Sequence, residues 1–118
     1  MEFSITTEGQ LLKARVWGRA SDQPPSHVCK EILQECNRHG IDRVLVELTQ
    51  QVPLSSVAQF RVVEALPGLG MTYKHRIALV HHTPGFYEAN ELLGIVAENR
   101  GLNVRNFMDV QSALAWLG

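Results

Sequence analysis

The side chains that could do chemistry in this chain are scattered, and the most suggestive contiguous group is His81-His82-Thr83. It follows an apolar run that reads as a strand, so it stands at a strand's carboxyl end, where open α/β sheets bind their ligands. Successive strand residues point to opposite faces, so the two imidazoles are not expected to converge on one metal ion. No H-E-x-x-H or paired-cysteine spacing supports a metal site either. His81 and His82 are expected as ligand or partner contacts. Glu47 is a carboxylate inside an otherwise apolar strand, a setting that can raise a pKa for general-base work. A position near the strand end, solvated or paired with a basic side chain, explains it as well and is preferred. Cys29 and Cys36 are seven residues apart in one helix, about 10 Å along its axis and beyond disulfide reach. They fall on an apolar stripe and are read as small core residues. No nucleophile, base and orienting group can be assembled from these residues. The chain is therefore expected to be non-enzymatic, with no metal and no cofactor.

One loop draws attention for its apolar content. Leu66-Pro-Gly-Leu-Gly-Met71-Thr-Tyr73 lacks the GK[ST] ending of a phosphate-binding loop and lies between a helix and a strand, the wrong order for one. Leu66, Leu69, Met71 and Tyr73 can line an apolar pocket or a subunit contact. They can equally fold as a flap onto their own core.

The elements that must position these residues are regularly punctuated. Phe3, Ile5 and Thr7 alternate with polar residues, then Glu8-Gly9-Gln10 turns the chain, and Leu12, Ala14, Val16 and Gly18 alternate again. That is a β-hairpin with one wet face. Ser21 to Pro25 reads as a loop, and Val28, Cys29, Ile32, Leu33 and Cys36 follow at helical spacing up to Gly40. Arg43–Leu48 is a nearly continuous apolar strand, the pattern of a strand covered on both faces. After a polar loop over Thr49–Leu54, Ser56 and Gln59 have capping-box spacing and open a helix through Leu66. Arg76–Val80 is a second buried strand, and Thr83-Pro84 starts a helix carrying Phe86, Ala89, Leu93 and Val96 to Gly101. Val104–Phe107 is a short strand. Asp109 caps a last helix with Val110, Ala113, Leu114 and Leu117 on one stripe and Trp116 off it. The order ββαβαβαβα predicts an α/β domain with a mixed, mostly parallel sheet.

Composition narrows the partners. Eleven Lys and Arg against twelve Asp and Glu give a net charge of −1, which leaves no basic footprint for a nucleic-acid backbone. Apolar runs are too short to span a membrane. The first residues lack the charged-then-apolar order of a signal peptide, so a cytoplasmic location is expected. A chain of 118 residues is read as a single domain, 1–118, able to hold a core without staples.

The ending is Asn99-Arg-Gly-Leu-Asn-Val-Arg-Asn-Phe107 followed by Ala113-Leu-Ala-Trp116-Leu117. With the strands Arg43–Leu48 and Arg76–Val80, it resembles the STAS-like superfamily, and most of all its small stand-alone bacterial SpoIIAA-like domains. The resemblance implies a superhelix of strand–helix units, a fold class shared with the lipid-exchange CRAL-TRIO domains. It also implies a regulatory phosphoserine at the start of the helix after the strand, in an Asp-Ser-Ser-Gly-Leu-Gly pattern. The matching place is Leu54-Ser55-Ser56-Val57-Ala58. Both serines are present, the acid and the glycines are not, and Ser55 and Ser56 are read first as helix caps.

Two functions follow as expectations. The first is a non-enzymatic module for protein–protein interaction or regulation. The second is a carrier or sensor of a small apolar, lipid-like ligand. Consecutive right-handed crossovers put helices on one sheet face, yet two strands read as covered on both. Something must cover the second face, a helix, a partner subunit or a ligand, and a homodimer is expected.

Overall fold

The computed structural model of the protein describes residues 2–18, 24–50 and 54–118. Parts of the two loops expected at Ser21–Pro25 and Thr49–Leu54, residues 21–23 and 51–53, lie outside the described residues. The hairpin pairs β1 (Glu2–Glu8) with β2 (Leu11–Gly18) in antiparallel register around Gly9, whose φ of 61° an L side chain adopts only with strain. Helix α1 (Pro25–His39) ends at Gly40, also left-handed, and leads into β3 (Arg43–Gln50). Helix α2 (Ser56–Ala65) is followed by a 3-10 turn at Pro67–Leu69 and by β4 (Arg76–His81). Two helices, α3 (Phe86–Ala89) and α4 (Glu91–Asn99), precede β5 (Asn103–Phe107), and α5 (Val110–Leu117) follows. The protein is thus an α/β domain. Its five-stranded sheet runs β1-β2-β3-β4-β5 in sequence order, with β2 to β5 parallel.

Strand order and alternation divide the core in two. On one face, Leu12, Ala14 and Val16 of β2, Val44 and Val46 of β3, Ile77 of β4 and Val104 of β5 pack against α1, α2 and α4. On the other, Leu45, Ala78 and Val80 pack against Ala113 and Leu117 of α5, with Phe107, Val110 and Trp116 at the edge. Helix α5 therefore supplies cover that the apolar strands β3 and β4 required, and a partner subunit no longer follows from that requirement. Two arginines hold its carboxyl end. Arg43 Nη1 donates to Gly118 O at 2.7 Å and Arg76 Nη1 to Trp116 O at 3.0 Å, satisfying carbonyls that a helix terminus leaves free. Where α5 stops, toward β2 and β1, the second face is polar: Lys13 is half-buried, and Ser4, Thr6 and Arg15 are exposed, the wet face expected of the hairpin.

Three local expectations are corrected. The capping box at Ser56 and Gln59 does not form: the N-cap is Ser55, whose Oγ accepts from Ala58 N at 3.1 Å, and Gln59 is turned into the core. The helix expected from Pro84 begins at Phe86 and is broken at Asn90, whose φ of −104° and ψ of 15° leave the helical region. Asn90 repairs the break itself, because its side-chain Nδ2 and its backbone N–H both donate to Phe86 O, at 2.8 and 3.0 Å. In α5 the apolar stripe runs through Val110, Ala113 and Leu117 with Trp116, whose ring lies tilted against Phe107 with centroids 5.7 Å apart, while Leu114 is exposed. No helix among the described residues is long and apolar enough to cross a membrane.

Candidate ligand-binding cavity

Between the three helices and the first face of the sheet lies a cavity of about 90 Å³. Val28 and Ile32 of α1, Val62 of α2, Leu93 of α4, and Val46, Leu48 and Leu79 of the sheet form much of its wall. Most of its strand residues come from the carboxyl halves of their strands, where α/β sheets hold ligands. Cys29, Asn90 and His81 also line the space, whose exposed wall is almost wholly apolar.

His81 is the last residue of β4 and is 6% exposed. Its ring Nε2 lies 2.7 Å from Asn106 Oδ1 on the neighbouring strand. Asn106 Nδ2 donates to Asn90 O at 3.0 Å, on the break between α3 and α4. The break is fixed from its other side by Gln59, 2% exposed, whose Nε2 donates to Leu54 O at 2.9 Å and Ala89 O at 2.8 Å. Gln59 Oε1 accepts from Leu93 N at 3.0 Å. Two asparagines, a glutamine and a histidine thus tie α2, the α3–α4 break, β4 and β5 together at one end of the sheet. Buried polar groups survive when paired, and here one does not: among the described residues, His81 Nδ1 is a buried side-chain nitrogen with no hydrogen-bond partner. Leaving such an atom unpaired costs about 1–3 kcal/mol.

Burial, first of all, depresses the His81 pKa, joined by the nearby His82 and opposed by the Asn106 hydrogen bond and Glu88. The folded pKa then lies below the unfolded value of about 6.5. The unfolded chain therefore takes up the proton first. Stability from the neutral ring is complete above about pH 6.5 and is lost as pH falls, by at most about 1.4 kcal/mol per pH unit. Urea midpoints at about pH 7.5 and about pH 5.5 check this: the parent loses stability in the acid arm, and His81→Leu loses less. Equal losses in both would show that His81 is not buried neutral.

His82 points the other way. Its Nε2 meets Glu47 Oε1 at 3.0 Å, and Arg15 Nε lies 3.9 Å from Glu47 Oε2. Glu47 is thus paired with basic side chains on the open face, and the two histidines stand on opposite sides of the sheet as their spacing predicts. Leu69 and Met71 fold onto the main core, Met71 fully buried, whereas Tyr73 is 73% exposed. Of the four loop residues expected at a pocket, Leu66 lines the cavity and these three do not. Ser55 is engaged as a cap and Ser56 opens α2, exposed. Among the described residues no three His, Cys, Asp or Glu side chains could hold a metal ion together.

Sequence reasoning missed Gln59, Asn90 and Asn106. Gln59 carried a signal, but its spacing fitted a cap. Asn90 and Asn106 stand in segments read by their apolar neighbours, with nothing nearby to mark them.

The two cysteines are free, and burial pushes both thiols up to about 11. Against a free cysteine near 8.5, the lower thiolate fraction outweighs the gain in nucleophilicity, and alkylation at about pH 8 should be slower by about tenfold or more. Timed alkylation followed by peptide mass spectrometry reads this directly. A rate matching free cysteine at either position would mean the site is open.

No protein-family model matches the chain, and no curated protein matches it.

Proposed function

We propose that the domain binds a small, mainly apolar molecule in the cavity between its helices and its sheet, and does so as a sensor. The observation that carries this is the cavity itself. Protein interiors hold few voids larger than a water molecule. This one offers about 90 Å³ of apolar space, part of which one added methylene on Val28 or Val46 would occupy. Drug-sized pockets begin at roughly 300 Å³, so the occupant is small, roughly three to five non-hydrogen atoms by comparison with the volume of water. Even the best tiny ligands gain no more than about 1.5 kcal/mol per such atom, which puts the dissociation constant in the micromolar range or weaker. Exchange on that scale suits sensing a concentration better than carrying a cargo.

The sequential strand order, with helices α1, α2 and α4 on one face, supports the SpoIIAA-like arrangement that the sequence resembles, a fold class shared with lipid-exchange domains. Docking to a protein partner is supported by the same resemblance without a site to attach it to.

Thermal melts with a panel of apolar molecules of roughly three to six carbons at about 10 mM test the proposal. A member with a dissociation constant near 100 μM adds about 2.7 kcal/mol and raises the midpoint by several degrees. A panel that leaves the midpoint unmoved argues against the cavity as a binding site. Filling the space should have the opposite signature. Val28→Leu is expected to stabilise the unliganded protein by about 0.5–1.5 kcal/mol and to weaken binding, checked by urea denaturation and the same melts.

A further inference from the structure

We infer that the free edge of the sheet, β5, takes an extended segment of a partner protein as an added strand, and that this segment reads basic-x-apolar-x-basic with neutral residues at x. The site is separate from the cavity, and neither reading depends on the other. The family resemblance places no docking site; the sheet edge does.

Strand order leaves β5 with β4 on one side and no strand on the other. Beyond its ladder with β4, no backbone group of β5 is hydrogen-bonded among the described residues. An edge of this kind is a template for a further strand. Main-chain pairing then gives affinity, and the flanking side chains give specificity. A groove of about 420 Å³ runs along this edge. Residues of β5 line it, with α4 on one side and Trp116 of α5 also contributing. Gly94 lets α4 lie close to the strand, since a Cβ there would stand 3.3 Å from Asn106 Nδ2.

The chemistry of that wall selects the occupant. Glu91, Ile95 and Glu98 stand on one stripe of α4, at i, i+4 and i+7, and all three line the groove. Ile95 is 48% exposed. Neither carboxylate has an ion-pair partner among the described residues. The two glutamates are about 10 Å apart along the helix. On an extended strand, residues i and i+4 share a face and are about 13 Å apart. Flexible lysine side chains close that difference and leave residue i+2 over Ile95. Successive residues of β5 face opposite ways. Val104 belongs to the core on the α4 side and Phe107 to the core on the α5 side, so Arg105 faces with Phe107. The x residues of an added strand lie on that side, where another positive charge is repelled and a neutral residue is not.

The same charges turn away a second copy. With two β5 strands antiparallel about a two-fold axis and all five residues paired, Arg105 would stand directly opposite its own copy. Like charges so placed are destabilising. The acidic stripes of the two α4 helices would also meet on one side of the joined sheet.

Fluorescence anisotropy with a labelled, end-blocked Thr-Lys-Thr-Val-Thr-Lys-Thr peptide tests the inference. Three companions show what carries binding: one with Glu for Lys, one N-methylated at its Lys and Val nitrogens, and one N-methylated at its Thr nitrogens. The expected result is a dissociation constant below about 1 mM for the lysine peptide and at least about tenfold weaker binding of the glutamate peptide. One methylated peptide binds and the other does not, because alternate nitrogens of an added strand face the sheet. Glu91→Gln/Glu98→Gln changes only exposed side chains, so it should melt like the parent and bind about three- to tenfold more weakly. Amide NMR signals of β5 shift on binding together with the Ile95 methyl. No binding of the lysine peptide below about 1 mM, or equal binding of the lysine and glutamate peptides, would overturn the inference. Equal binding of the two methylated peptides would show a charge contact without an added strand and overturn it as well. So would a dimer in sedimentation whose β5 amides are already protected without peptide, which would give the edge to a second copy.

Discussion

Replacing Gln59 with glutamate is expected to cost the protein several kcal/mol at neutral pH, on the order of its whole stability if that lies near the low end of the usual 5–15 kcal/mol range. The substitution keeps the shape and reverses the chemistry. The amide donates to two carbonyls, Leu54 O and Ala89 O. A carboxylate would turn an acceptor on both and place a charge at a position 2% exposed. A buried charge left uncompensated costs about 3–5 kcal/mol. The pH dependence has a definite sign. Burial and two facing carbonyls raise the folded pKa of the new carboxyl above the unfolded value of about 4.3. The neutral acid is tolerated, so the variant's stability is retained below that value and lost as pH rises through the folded pKa. Paired urea titrations of parent and Gln59→Glu should show a deficit that widens from about pH 5 to about pH 8. Gln59→Leu, which removes the hydrogen bonds without adding charge, should show a smaller deficit of about 2–4 kcal/mol with little pH dependence. A Gln59→Glu protein as stable as its parent at neutral pH would mean that this side chain does not tie α2 to the α3–α4 break.

Removing Asp109–Gly118 is expected to abolish cooperative folding of the monomer. Helix α5 covers Leu45, Ala78 and Val80, which are at most 1% exposed. Without it those side chains face water, and the two arginines at the starts of β3 and β4 lose their carbonyl partners. Buried apolar side chains contribute about 1.5–3 kcal/mol each, so the loss exceeds a typical margin. Truncated protein should lose its sigmoidal melt or pair with a second copy through the bared face, and sedimentation distinguishes these. The milder Leu117→Ala should fold, with a loss of about 2–4 kcal/mol. A truncated chain that stays monomeric and melts like its parent would show that α5 is not needed to close the second face.

The hairpin was legible because its residues alternate with period two, and Gly9 marks the turn. The apolar runs of β3 and β4 correctly announced two covered faces. What covered the second could not be read, because periodicity describes one element's faces and not which element meets them. The α3–α4 break was hidden for a similar reason. Asn90 interrupts an apolar helical pattern by a single residue, and its role depends on Asn106, sixteen residues away in sequence and paired only in space. His81 was marked as a contact by its place at a strand end. Its unpartnered nitrogen follows from the tertiary network and has no sequence signature. The cavity likewise lies between residues from seven elements, each of which reads simply as core.

The central claim is that this cavity accepts a small molecule, and methyl NMR tests it where the claim is made. Protein with labelled Val and Leu methyl groups is titrated with cyclopentane and with pyrrole. Saturable shifts are predicted at Val28, Val46 and Leu79, which line the space, with the methyls of Leu45 and Leu117, packed between α5 and the other face of the sheet, unmoved and with weakened binding in Val28→Leu. Shifts that fail to saturate, or that spread over exposed methyls such as Val57 and leave Val28, Val46 and Leu79 in place, would contradict it.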